Sequence, residues 1–289
     1  MQLVTRPPKR LFSFGCSFTK FFWSTWPEII AHDLDIPVYN YGQSGAGNQY
    51  IANMVCQADN FYNFTEDDLI IVSWTNVARE DRWTNGQWIT PGNIYSQGIY
   101  DQAFVEKWAD PLGYLIRDLA SIKLVKNFLD HKKCQFHFFS MCDIAYQFNQ
   151  NSTVDIIPEH LKSKYRDTCS QYENVINFIL PSFFRTLWSN DLVKNKFDIE
   201  ESQGYTLFKD GHPYPEEHFK FIKTIFPEHK FKHETLMKID DVQHKFRDFV
   251  RHKSQELKKS WAIYELSTSE NDLLLNLTTI KKSEIVKKI

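Results

Sequence analysis

Asp68-Leu69-Ile70-Ile71-Val72-Ser73-Trp74 is an apolar, β-branched run opened by an acid and followed by the polar pair Thr75-Asn76. Its length and its polar bounds predict a central strand. Working outward, Leu11-Phe12-Ser13-Phe14 is a shorter run of the same kind that stops at Gly15. Val38-Tyr39-Asn40-Tyr41 and Gln135-Phe136-His137-Phe138-Phe139-Ser140 are two more. Between them lie helical patterns. Residues 24–34 place Pro27 in a first turn and Ile29, Ile30 and Leu34 on one face. A helix is also expected from Gln49 to about Asp59, and a long one over 111–131 with apolar residues near the helical period. Strand and helix alternate, which argues for an α/β domain with a central parallel sheet and helices on both faces.

The remaining segments are less regular. Residues 75–100 hold many Trp, Asn and Gly without a period, and read as a long loop over one end of the sheet. Residues 143–208 read as excursions with one helix near 170–180. A helix over 215–226 closes the domain. From 234 to 262, Leu236, Ile239, Val242, Phe246, Phe249, Leu257 and Trp261 form an apolar stripe on a charged, mildly basic helix. The expected organisation is therefore a domain over 1–233 and a helical C-terminal extension over 234–289, the latter a candidate surface for a homo-oligomer or larger assembly.

Composition bounds the function. Of 289 residues, 42% are hydrophobic and 16% aromatic, enough for a sizeable core, and a formal net charge of −2 gives no electrostatic case for nucleic acid. The five cysteines show neither a CxxC pair nor metal-ligand spacing, so reduced thiols and no metal are expected. No run approaches a membrane span, and the apolar stretch after Arg10 is too short for a signal peptide. The expected setting is a cytoplasm, with incorporation into a phage particle left open.

In an open parallel sheet, ligands gather at the carboxyl ends of the strands. Three polar loops fall there: Gly15-Cys16-Ser17, Gly42-Gln43-Ser44-Gly45-Ala46-Gly47-Asn48 and Trp74-Thr75-Asn76. Asp210-Gly211-His212-Pro213 lies far downstream. A serine hydroxyl becomes a nucleophile when a base lies within hydrogen-bond reach. His212 is the candidate base for Ser17, and Asp210 the carboxylate that would hold its tautomer. The backbone N–H groups of Ser17 and Gly45, with the side-chain amide of Asn76 or Asn48, are candidate oxyanion donors. Arg79 is a candidate for an anionic or sugar group, against a plain salt bridge to Glu80 or Asp81. Trp74, Trp83 and Trp88 are candidates for a sugar-stacking surface, against a core role.

At these blocks, over roughly residues 10–225, the chain resembles the SGNH/GDSL hydrolase superfamily, and more closely its phage and bacterial variants with Gly-Cys-Ser-Phe-Thr and Asp-x-His-Pro blocks. The resemblance implies a flavodoxin-like three-layer α/β/α sandwich and esterase, deacetylase or lipase-type chemistry that needs no cofactor. Cys16 stands where that family has Asp, Asn76 lacks its usual Gly and Asp neighbours, and Asp210 precedes His212 by two residues instead of three. The reading is a serine-dependent ester hydrolase that deacylates a carbohydrate or glycolipid. The rivals are an acyltransferase using the same nucleophile, and a non-catalytic structural or binding protein, such as a virion component, on the same fold.

Overall fold

In a computed structural model of the chain, residues 1–21, 23–95, 100–144, 161–188 and 212–256 are described. The elements in order are β1 (Arg10–Gly15), α1 (Trp26–Leu34), β2 (Val38–Gly42), α2 (Asn48–Tyr62), β3 (Asp68–Trp74), β4 (Arg82–Thr84), β5 (Gln87–Ile89), α3 (Gln102–Trp108), α4 (Pro111–Lys132) and β6 (Gln135–Ser140). They continue as α5 (Lys162–Gln171), α6 (Glu173–Ile176), a π-helical turn at Phe184–Trp188, α7 (Pro215–Ile225) and α8 (His233–Glu256).

Four parallel strands form the sheet in the order β2-β1-β3-β6. The two inner strands, β1 and β3, bury Leu11, Phe12, Phe14, Leu69, Ile70, Ile71 and Val72 completely. Strands enclosed on both faces need apolar residues on both sides, which is why these runs are continuous instead of alternating. Their amino ends are fixed by charge: Arg10 pairs across the register with buried Asp68, through Nε to Oδ1 and Nη2 to Oδ2, both at 2.7 Å. The chain leaves β1 toward β2 on one side and returns past β1 to β3 on the other. Right-handed crossovers in opposite directions put α1 and α2 on opposite faces. Accordingly α1 packs with α7 and α8, and α2 packs with α4. This is the expected three-layer α/β/α sandwich, and its topological switch point lies between β1 and β3.

The loop expected over 75–100 contains regular structure. Strands β4 and β5 form an antiparallel hairpin around Asn85 (φ 49°) and Gly86 (φ 77°), with Trp83 opposite Trp88. Two central residues with positive φ are what a tight primed turn demands, and Asn-Gly supplies them. Three-residue strands are too short to show a period, so only that dipeptide marked them. Helix α3 was also unforeseen; its N-cap, Asp101, accepts from the Phe104 N–H at 2.7 Å. Around the helix expected near 170–180 the chain forms α5, which starts earlier at Lys162, and the short α6 inside that range.

The amino-terminal half of α8 belongs to the main core. Ile239 and Val242 are buried in it and Thr235 is fully enclosed, whereas Leu236, from the same expected stripe, is exposed. Asp33 of α1 accepts from His229 Nε2 and from the Lys232 N–H, each at 2.7 Å, and so pins the α7–α8 connection. The expected boundary at 233/234 falls at the first residue of α8, whose Ile239 and Val242 are buried in the main core. The stripe side chains of Phe246 and Phe249, and residues Leu257 and Trp261, lie outside the described residues. Among the described residues no helix is long and apolar enough to cross a membrane.

Candidate active site

Strand β1 ends in a turn that folds back on itself. The Cys16 carbonyl accepts from Thr19 N–H at 2.9 Å and Lys20 N–H at 3.3 Å, which places Ser17 at the turn's start. Gly15 is required by this fold-back: a Cβ there would lie 2.0 Å from Thr19 Oγ1. Two neighbours hold the turn from below. Thr25 Oγ1 and Asn40 Nδ2 both donate to the Thr19 carbonyl, at 2.6 and 2.8 Å. Neither residue drew attention in the sequence as a support for Ser17.

His212 arrives from 195 residues downstream and sets Nε2 at 2.8 Å from Ser17 Oγ. In the tautomer with its proton on Nδ1, the imidazole accepts from the serine hydroxyl. The ring is positioned by aromatic contact. Phe21 stacks on it with centroids 3.9 Å apart and planes 17° apart, and Phe18 lies against it at 5.4 Å. Trp23 Nε1 donates to the Pro213 carbonyl at 2.7 Å, tying the segment next to His212 to the loop after β1. Phe21 and Trp23 were not singled out from the sequence; their signal was an aromatic cluster, Phe21-Phe22-Trp23, a few residues after the serine. Asp210 lies outside the described residues.

The expected oxyanion donors divide. The backbone N–H groups of Ser17 and Gly45 donate to no protein acceptor among the described residues. Asn76 uses Oδ1 to accept from Ala78 N–H at 2.6 Å, and its Nδ2 likewise donates to no protein acceptor among the described residues. These groups follow β1, β2 and β3, three adjacent strands, whose spacing of about 4.8 Å brings their ends side by side. Asn48 is different. It is fully buried, donates Nδ2 to the Thr75 carbonyl and to Asp118 Oδ2 at 3.1 and 2.8 Å, and accepts from Thr75 N–H at 2.8 Å. Its amide is consumed in joining α2, β3 and α4, so it has no donor left for substrate. Gly45 (φ 74°) also has a structural reason to be glycine, since a Cβ there would lie 2.0 Å from the Thr90 carbonyl oxygen.

The Asn48 bridge is part of a larger buried network. Asp81 accepts from the Gly47 and Tyr50 N–H groups at 2.8 and 2.9 Å, fixing the start of α2. Asp118 accepts from Arg117 Nε at 2.8 Å, yet burial dominates and pushes its carboxyl up to about 6. Burial also raises Asp81.

Among the candidate binding residues, Trp74 is fully enclosed, edge-on to Phe138, and presents no face to a ligand. It is a core residue: Trp74 ends a strand buried on both sides. Trp83 is exposed, and packs perpendicular to Trp88 at 5.7 Å. The hairpin that carries them sits on the glycine loop through Thr90 Oγ1, which donates to the Ser44 carbonyl at 2.8 Å. The alternative salt bridge of Arg79 to Glu80 or Asp81 is not formed; Arg79 Nη1 donates to the Ala46 carbonyl at 2.7 Å and Nη2 approaches Met141 Sδ at 3.6 Å. None of the five cysteines is in a disulfide among the described residues, and burial pushes the Cys134 and Cys142 thiols up to about 12. Among the described residues no group of three or more His, Cys, Asp or Glu is arranged to hold a metal.

No protein-family model and no curated protein matches the chain. Among solved structures it is similar to an acetylxylan esterase from Geobacillus stearothermophilus, at 12% identity and TM-score 0.41, over 79% of this chain and 98% of that one. It is similar to a lipolytic protein of the G-D-S-L family from Veillonella parvula, at 14% identity and TM-score 0.37, over 74% and 96% of the two chains. A GDSL-like lipase from Bacteroides thetaiotaomicron gives 12% identity and TM-score 0.37, over 79% and 90%. Likenesses this distant assign no activity; what speaks for one is the geometry at Ser17.

Proposed function

We propose that this chain is a serine-dependent ester hydrolase that removes an acyl group from a carbohydrate or glycolipid ester. The observation that carries the reading is the 2.8 Å contact between Ser17 Oγ and His212 Nε2 at the carboxyl end of an inner strand. Ser17 attacks the acyl carbon while His212 takes the hydroxyl proton; the same proton then passes to the departing alcohol oxygen. Charge builds on the carbonyl oxygen, and the Ser17 and Gly45 N–H groups with the Asn76 amide are the donors assigned to it. His212 next takes a proton from water, whose oxygen attacks the acyl-serine and releases the acid. Asp210 is assigned to hold the proton-bearing Nδ1 side of the imidazole. The sugar preference draws support from the Trp83–Trp88 hairpin beside the glycine loop, since aromatic faces stack on sugar rings.

The test is hydrolysis of 4-nitrophenyl acetate and of a peracetylated xyloside by the wild type and by Ser17→Ala. Loss of at least about a thousandfold in kcat/KM is expected for the variant. Equal rates in the two proteins would sink the catalytic reading and leave a binding protein. Faster release of 4-nitrophenol with added sugar alcohol, and a new sugar ester among the products, would mark an acyltransferase instead.

A further inference from the structure

A cation near the nucleophile, Arg79, forms no ion pair among the described residues, although buried Asp81 attracts it from beyond ion-pair distance. Arg10 pairs with Asp68, Arg82 with Glu80, and Arg117 with Glu80 and Asp118. Arg79 is partly buried, yet among the described residues no carboxylate lies within ion-pair distance of it. The two acids next to it in sequence are committed elsewhere: Glu80 to Arg82 and Arg117, Asp81 to the N–H groups of Gly47 and Tyr50. Its Nε is buried and donates to no acceptor among the described residues.

The position of this guanidinium is as telling as its missing ion pair. Nη1 touches the Ala46 carbonyl, in the loop after β2. Nη2 touches Met141 Sδ, just past the end of β6. The same sulfur lies 3.9 Å from Cys16 Sγ and 3.8 Å from Thr75 Oγ1, in the turns after β1 and β3. Arg79 is thus set where all four strand ends meet, two contacts away from the residue that precedes Ser17. Its two protein contacts are to a carbonyl and a thioether, neither of which neutralises a charge. A partly buried guanidinium with a free donor and no ion pair costs folding free energy, and such groups persist where a ligand completes them. Its planar fork matches a carboxylate.

We infer that Arg79 is the specificity residue of a carboxylate subsite, so that the preferred substrates are esters bearing a carboxylate near the scissile bond. The inference rests on the hydrolase reading above and narrows it. The carboxylate has two chemical sources: the acyl group, as in a dicarboxylic half-ester, or the alcohol, as in a uronic acid.

Three esters separate these: neutral 4-nitrophenyl acetate, the 4-nitrophenyl half-ester of adipic acid for the acyl side, and 3-acetoxybenzoate for the alcohol side. In the wild type, kcat/KM for one of the two anionic esters is expected to exceed that of the neutral one after correction for leaving group. Arg79→Met is expected to lower that ratio about tenfold or more, chiefly through KM, with Arg79→Lys restoring part of it. No anionic preference in the wild type, or the same preference in Arg79→Met, would overturn the subsite. Calorimetry on Ser17→Ala with free adipate and benzoate separates this outcome from failure of the hydrolase reading. If no ester is turned over, binding that Arg79→Met abolishes still upholds the subsite, and absence of binding by either acid removes it.

Discussion

The two flanks of Ser17 are held by different physics. On the β2–β3 side, Asn48, Asp81, Asp118 and Arg117 form a polar network whose charged and amide hydrogen bonds join the start of α2 to the loop after β3 and to α4. On the other side, the described contacts of His212 and its neighbour Pro213 include a stacked ring, a tilted ring and an indole hydrogen bond, beside the contact to Ser17. The first arrangement fixes backbone, and so suits N–H donors that must not move during a reaction. The second fixes the plane of a ring by aromatic contact. Ser17 sits between a wall of polar bonds and a wall of aromatic rings.

His212→Ala should give the largest effect, a fall in ester hydrolysis of at least about a thousandfold with the chain still folded, since the strands of the sheet and their buried core do not include the ring. Loss of fold together with activity would mean that the two sides are not distinct. Asn48→Leu should do the opposite. It strands Thr75 N–H, the Thr75 carbonyl and one Asp118 oxygen, and should cost about 3–5 kcal/mol of stability in urea titrations. Activity at full folding should fall less than in His212→Ala.

The network should also carry a pH signature. Asp118 is raised from 3.8 to about 6, so between those values the folded chain holds a proton that the unfolded chain has released. Its contribution to stability therefore falls as pH rises through that window and is level above it. Asp118→Asn should flatten the urea midpoint between pH 4 and 6 relative to wild type, by about 2–3 kcal/mol at most. A midpoint curve parallel to wild type would remove the buried carboxyl from the account. The smallest effect belongs to the aromatic side. Trp23→Phe keeps an aromatic ring but removes the bond to Pro213 and part of the buried indole volume, costing about 1–2 kcal/mol of stability. If that bond sets where His212 rests, kcat should fall about tenfold with KM unchanged. An unchanged kcat would remove the Trp23 bond from the positioning of His212.

Sequence reading went far where the signal was local. The four sheet strands were visible because buried parallel strands are unbroken apolar runs, and β3 and β6 appear with the bounds that Asp68 to Trp74 and Gln135 to Ser140 suggested. Ser17 and His212 stood out as a candidate pair through the order of polar blocks along the chain, not through either residue alone, and the structure brings them to 2.8 Å. What escaped was whatever depends on a partner distant in sequence. Trp74 read as a surface aromatic because composition does not reveal that β6 and its Phe138 cover it. Asn48 read as a free donor because nothing nearby announces Asp118, 70 residues on. Phe21 read as ordinary because the ring it stacks on comes from the far end of the domain.

The separation of 195 residues between Ser17 and His212 has a consequence for the order of assembly. β1, β2, β3 and β6 are complete by Ser140, and the closures among them are short beside the one that delivers the imidazole. Longer closures carry the greater entropy cost and come later. During synthesis the ribosome therefore releases a chain that owns its sheet and its serine well before it owns a base. Under the proposed function such a nascent chain is inert toward esters, and ester turnover at Ser17 becomes a report that the last helices have docked.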